Sequence, residues 1–166
     1  MKRPQAVVVL SCGGRDEFRN GKQWDPTDEA LARVAEKTAQ ERNLPIYGQW
    51  EVVDLIDQSL VTIRQRVADH RTQGKRLDTR EVLEQIHLKC MKEDGISYVI
   101  LVAHPIHLSR VWDASLKIGF EVSGHADTSN VPLDPLSKYP WVRSELRFEI
   151  YERFIATPIY RLKRWI

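Results

Sequence analysis

The stretch Ala6-Val-Val-Val-Leu-Ser-Cys-Gly-Gly14 decides the fold. An apolar run with no polar alternation, rich in β-branched residues and ending on two glycines, is the pattern of a central strand buried on both faces of a parallel sheet. The run Tyr98-Val-Ile-Leu-Val-Ala103 repeats it, and His104-Pro105 then turns the chain directly into a helical pattern. Between the two runs, helical periods alternate with short extended segments. Asp25-Pro26 supplies a cap and a first-turn proline, and Ala30, Leu31, Val34, Ala35, Thr38 and Ala39 recur at helical spacing up to Asn43. Leu44–Val53 is expected to be extended, and Leu60–Arg71 a helix ending near Gly74. Asp78-Thr-Arg-Glu81 opens a further helix with a capping-box pattern, whose inner face is Val82, Leu83, Ile86, Cys90 and Met91. After the second run, Ile106, Val111, Trp112 and Ile118 form a helix stopped by Gly119, and Phe120-Glu-Val122 a short strand. Alternating strands and helices of this length imply right-handed βαβ units, hence a three-layer α/β/α sandwich, Rossmann-like, with a mostly parallel sheet.

Residues 1–122 are thus expected to form the Rossmann-like core. Residues 123–141, with Pro132, Pro135 and Pro140 among Ser, Asn and Asp, are expected to be a long loop. In residues 142–166 a helix with Leu146, Ile150 and Phe154 at its apolar positions gives way at Pro158 to a basic tail packed on the same domain. Tyr160-Arg-Leu-Lys-Arg-Trp-Ile166 also has the composition for weak contact with an anionic membrane surface.

Composition excludes several classes. A chain of 166 residues with 42% hydrophobic content builds its own core without a disulfide or metal framework. Cys12 and Cys90, with no CxxC spacing, are expected to be reduced thiols, and the expected location is the cytoplasm. A net charge of +2 provides no field for gathering nucleic acid, and Trp24, Trp50, Trp112, Trp141 and Trp165 lack the spacing of a stacking platform. The apolar runs are far below the roughly 20 residues of a transmembrane helix, and the N-terminal Met-Lys-Arg-Pro-Gln segment lacks a leader core.

The chemistry is expected beyond the carboxyl ends of the strands, near a topological switch point. There Ser11, Gly13, Gly14 and Arg15 offer donors and close backbone approach, although neither a GxGxxG nor a Walker loop is present. In His104-Pro-Ile-His107-Leu-Ser-Arg110 the step of three aligns two imidazoles and a guanidinium along the first turns of a helix. A helix start with an arginine fork suits a small anionic ligand, most simply a phosphate, with Arg110 as clamp and His107 as acid or base. His-x-x-His supplies two ligands and no third group completes a metal set. Glu81 is the carboxylate candidate for catalysis, its alternative role being the capping box.

Val102-Ala-His104-Pro-Ile-His107-Leu-Ser-Arg110 resembles the V-T-S-x-x-H-x-x-R motif of the bacterial YdcF/SanA/ElyC-like group, domain of unknown function 218. Val7–Gly14 matches that group's first strand and glycine loop, Arg33 onward its following helix, and Thr79-Arg-Glu81-Val82 its T-x-E-N motif, with Val in place of Asn. Ala103 and His104 replace the Thr and Ser, and Tyr47-Gly48-Gln49 stands where the group has S-G-G. The resemblance covers residues 5–122. It implies a Rossmann-like sandwich with a pocket formed by Gly13, Gly14, Thr79, Glu81, His107 and Arg110. The expected activity is binding of a phosphate-bearing or nucleotide-like ligand, by a hydrolase or transferase or by a noncatalytic binding or interaction module. No cofactor is named by the sequence.

Overall fold

The computed structural model describes residues 5–15, 18–19, 22–75 and 77–166, so Met1–Pro4, the start of the segment examined for a leader, lie outside the described residues. The run Gln5–Val9 forms β1, the central strand, hydrogen-bonded in parallel to Ile46–Gln49 (β4) on one side and Tyr98–Val102 (β6) on the other. Ile63–Val67 (β5) and Glu121–His125 (β7) complete an all-parallel sheet in the order β5-β4-β1-β6-β7. Phe18–Arg19 (β2) and Lys22–Gln23 (β3) make a separate antiparallel pair. Ala6 through Leu10 are fully buried, as an unbroken apolar run requires of a strand covered on both faces.

The alternation of β1 splits the core in two. Ala6, Val8 and Leu10 pack with Val82, Leu83 and Ile86 of helix Thr79–Leu88 (α3) and Val111 and Ala114 of helix Pro105–Ile118 (α4). Val7 and Val9 pack on the other face with Leu31, Ala32, Ala35 and Ala39 of helix Pro26–Arg42 (α1), and with Val52 and Val53 of the short helix Trp50–Val53 (α2). The result is a three-layer α/β/α fold of Rossmann-like order. The terminators act as the sequence indicates. Asp25 accepts from Thr27 N and Asp28 N, Asn43 ends α1 at φ 53°, and Gly119 ends α4 at φ 114°, a left-handed conformation that glycine adopts without a Cβ penalty.

Two expected elements are corrected. Leu60–Arg71 is not a helix: Leu60 sits in a turn, and Ile63–Val67 is the edge strand β5. The extended segment expected over Leu44–Val53 is strand only at Ile46–Gln49 and then winds into α2. Helix Glu145–Tyr151 (α5) continues through a π turn, Glu152–Ala156, into Thr157–Leu162 (α6). Pro158 falls in the first turn of α6, where its missing N–H costs little, so it does not end the helix. No described helix is long and apolar enough to cross a membrane.

Candidate functional site

A cavity of about 390 Å³ opens at the carboxyl ends of β1 and β4. Ser11, Cys12 and Gly13 come from the loop after β1, Gln49 and Glu51 from the end of β4 and the start of α2, Asp78 and Thr79 from the start of α3, and His107 and Arg110 from α4. The far wall is aromatic: Tyr139, Trp141, Phe148, Tyr151 and Tyr160. Tyr139, Trp141 and Tyr151 stack in a row, with ring centroids 5.3 and 4.9 Å apart. A larger groove of about 540 Å³ lies between α1 and residues 125–131, but no buried catalytic-type side chains converge in it.

The first turns of α4 bring His107 and Arg110 together as the spacing implies, and α3 adds Thr79. The group they meet is Glu152, at the start of the π turn. Arg110 donates from Nε to Glu152 Oε2 and from Nη2 to Oε1, both at 2.8 Å, and from Nη1 to Thr79 Oγ1 at 3.0 Å. The Tyr160 ring lies 4.6 Å from the guanidinium carbon. His107 Nδ1 is 3.1 Å from Glu152 Oε1. Arg110 Nη2 also lies 2.9 Å from His107 Nδ1, so that nitrogen stands between a carboxylate oxygen and a guanidinium N–H. Nε2 is 3.4 Å from Thr79 Oγ1. Burial, joined by the Arg110 charge, lowers the His107 pKa and outweighs the pull of Glu152, so the imidazole is neutral at pH 7. Burial raises the Glu152 carboxyl, but the hydrogen bonds from Arg110 and His107 overcome it and hold the pKa at about 2. Hydroxyl, imidazole and carboxylate thus form one chain, and all three residues line the cavity.

Other expected site residues are placed differently. Glu81 is outside the cavity: its carboxylate accepts from Arg71 N and the Arg71 guanidinium and from Gln85, which holds its pKa at about 2. Asp78 caps Glu81 N, but Glu81 does not return the bond as a capping box would, because Arg71 offers it a charged donor. Arg15 is turned away and forms a two-nitrogen pair with buried Asp134. His104 caps α4 through Nδ1, which accepts from Ile106 N, and burial lowers its pKa to about 4. It is not among the residues facing the cavity. The Gly14 N–H is given to Asp25, and the Gly14 carbonyl accepts from Lys138 N and Ser137 Oγ, so the loop ties residues 137–138 down instead of presenting its amide outward. Gly13 is required by close approach: a Cβ there would lie 2.5 Å from Asp25 Oδ1.

Beneath Ser11 is a group of carboxyls that the sequence did not single out. Ser11 Oγ donates to Asp28 Oδ2 at 3.0 Å. Burial, together with the charge of Asp25, pushes Asp28 up to about 8, so it carries a proton at pH 7. Burial likewise raises Glu51. Asp28 Oδ1 and Glu51 Oε2 are buried without a hydrogen-bond partner among the described residues. Burial pushes the Cys12 thiol well above its ordinary range, so it stays protonated and is a poor nucleophile. Among the described residues no three His, Cys, Asp or Glu side chains are grouped to hold a metal. Comparison with protein-family models, with curated proteins and with solved structures finds no match to this chain.

Proposed function

We propose that the protein is a hydrolase or transferase for a small ring-bearing ligand, phosphate-bearing or nucleotide-like, with His107 as its general base. The observation that carries this reading is the chain Thr79 Oγ1, His107 Nε2, His107 Nδ1, Glu152 Oε1 opening into a cavity. In this reading the neutral imidazole keeps its proton on Nδ1 toward Glu152, and Nε2 takes a proton from the Thr79 hydroxyl or from a water in its place. Arg110 Nη1, the terminal nitrogen not engaged by Glu152, faces the same spot and would stabilise negative charge developing on a reacting oxygen. The row Tyr139, Trp141, Tyr151 offers faces for a planar ring. Glu152 limits the clamp: an anionic group meets a guanidinium whose fork is already on a carboxylate, and it binds at the Nη1 edge. Kinship with the YdcF/SanA/ElyC-like group is part of the same proposal and is carried by His107 and Arg110.

The test is turnover of a panel of nucleotides and chromogenic phosphate esters by wild type and His107→Ala. The expected loss is about 10²–10⁴-fold, the usual contribution of a general base. Turnover that survives the substitution refutes the assignment. A second reading, a noncatalytic binding module, is favoured by one observation: Arg110, Glu152 and Thr79 close on one another as a staple between α4, α3 and the π turn. Ligand binding without turnover in the same panel would establish it.

A further inference from the structure

The helical segment Glu145–Leu162 has two faces. Phe148, Glu152, Ala156 and Tyr160, four residues apart, are all buried against the domain. Leu146, Ile150, Phe154, Ile155, Ile159 and Leu162 are 44–86% exposed. A regular α-helix overshoots a full turn by about 40° every four residues, so a row stepping by four spirals off its face. The π turn at Glu152–Ala156 accommodates an extra residue and turns the rows back. The inner row therefore stays on the domain along the whole segment, and the outer apolar residues stay together on the opposite side. Six large apolar residues on one helical face form a contiguous patch, which a lone soluble domain rarely exposes.

Charge indicates what covers it. From Arg153 to Ile166 there are four basic residues, Arg153, Arg161, Lys163 and Arg164, and no acidic one, and with Arg147 they outnumber the exposed Glu145 and Glu149 at the start of the segment. None of the four is in an ion pair with any described residue. Of the bulky residues of the tail, Leu162 points outward, whereas Tyr160, Trp165 and Ile166 turn inward: Trp165 packs edge-on to Tyr160 at 5.0 Å and under Arg80, and Ile166 meets the core. They anchor the helix and leave its outer face open. An anionic surface with an apolar interior complements both features.

We propose that the outer face of residues 145–162 lies on anionic membranes, with Leu146, Ile150, Phe154, Ile155, Ile159 and Leu162 entering the headgroup boundary and the exposed Arg153 and Arg161 meeting lipid phosphate. This inference is independent of the catalytic reading. The test is flotation of the full chain with phosphatidylcholine vesicles, with and without phosphatidylglycerol, alongside light scattering of the free protein. The wild type is expected to float with the phosphatidylglycerol vesicles and to release in raised salt. Ile150→Glu with Phe154→Glu, both exposed and so harmless to folding by thermal melt, should cut partition about tenfold or more. Arg153→Glu with Arg161→Glu should cut it on anionic vesicles alone. No flotation, equal flotation on phosphatidylcholine alone, or a dimer that dissolves in the Ile150→Glu/Phe154→Glu variant would each overturn the proposal.

Discussion

Arg110 can serve as a freely available ligand clamp or as a staple to Glu152, and the two roles predict different behaviour of Arg110→Ala. Arg110 is 8% exposed, and its guanidinium engages both oxygens of a carboxylate that is itself buried. Removing it leaves Glu152 charged and uncompensated in the interior, a change that costs about 3–5 kcal/mol. In a domain of this length, each kcal/mol lowers the melting temperature by about 2–4 °C, so the variant should melt about 6–20 °C below wild type at pH 7. The deficit has a pH signature. In the wild type Glu152 has a folded-state pKa of about 2 against an ordinary 4.5, so its contribution is present above pH 4.5 and lost as pH falls through 2. That difference is worth about 3 kcal/mol. In Arg110→Ala only His107 still opposes burial at Glu152, so the Glu152 pKa rises, and acidification protonates it and relieves the penalty. The gap between the two proteins should therefore narrow from pH 7 to pH 5. Arg110→Met combined with Glu152→Leu should recover most of the loss, giving a coupling of about 1–3 kcal/mol in a double-mutant cycle followed by urea unfolding. An Arg110→Ala protein that melts with the wild type at both pH values would refute the staple.

Two further outcomes follow from the same geometry. Because the Asp28 pKa of about 8 lies above its ordinary 3.8, the folded state keeps a proton that the unfolded chain releases, and stability falls as pH rises from 3.8 through 8; Asp28→Asn escapes this and should exceed wild type by up to about 4 kcal/mol at pH 7, an advantage that urea titrations at pH 5 and 8 must show growing with pH. Gly48→Ala places a Cβ 2.8 Å from Val53 Cγ2 and 2.9 Å from the Val9 carbonyl and should cost about 1–3 kcal/mol in a thermal melt; an unchanged melt would show that β1 and α2 yield to it.

The fold was legible where one signal had one meaning. Val7–Leu10 and Val99–Ala103 could be only buried strand, and Asp25, Asn43, Asp78 and Gly119 punctuate the helices as their chemistry dictates. Ile63–Val67 escaped because an edge strand buries one face only: Ile63, Gln65 and Val67 alternate with Arg64 and Arg66, and its middle inward position is polar. Leu60, Ile63 and Val67 also happen to fall at helical spacing, so the wrong period matched. The segment after 142 misled for a related reason. Two rows step by four side by side, Leu146-Ile150-Phe154 and Phe148-Glu152-Ala156-Tyr160, and hydrophobicity favours the first. The second packs inward because its glutamate has an arginine to meet.

That pairing explains why the candidate site was half legible. His107 and Arg110 are three apart on one helix, so their convergence is a local property the spacing reports. Glu152 lies 42 residues beyond Arg110, and its sequence signal is one acidic residue within a row that is otherwise apolar or aromatic, a row that must itself be recognised as the buried one. An interior arginine requires a counter-charge, and with Asp113, three residues on, exposed on the outside of α4, Glu152 supplies it from a distance. The expected ligand anion and the actual Glu152 are two answers to that requirement. A carboxylate on the same chain is always present, whereas a ligand is not. Arg110 therefore contributes first to the folded state, and the proposed chemistry falls to His107 Nε2, which faces Thr79.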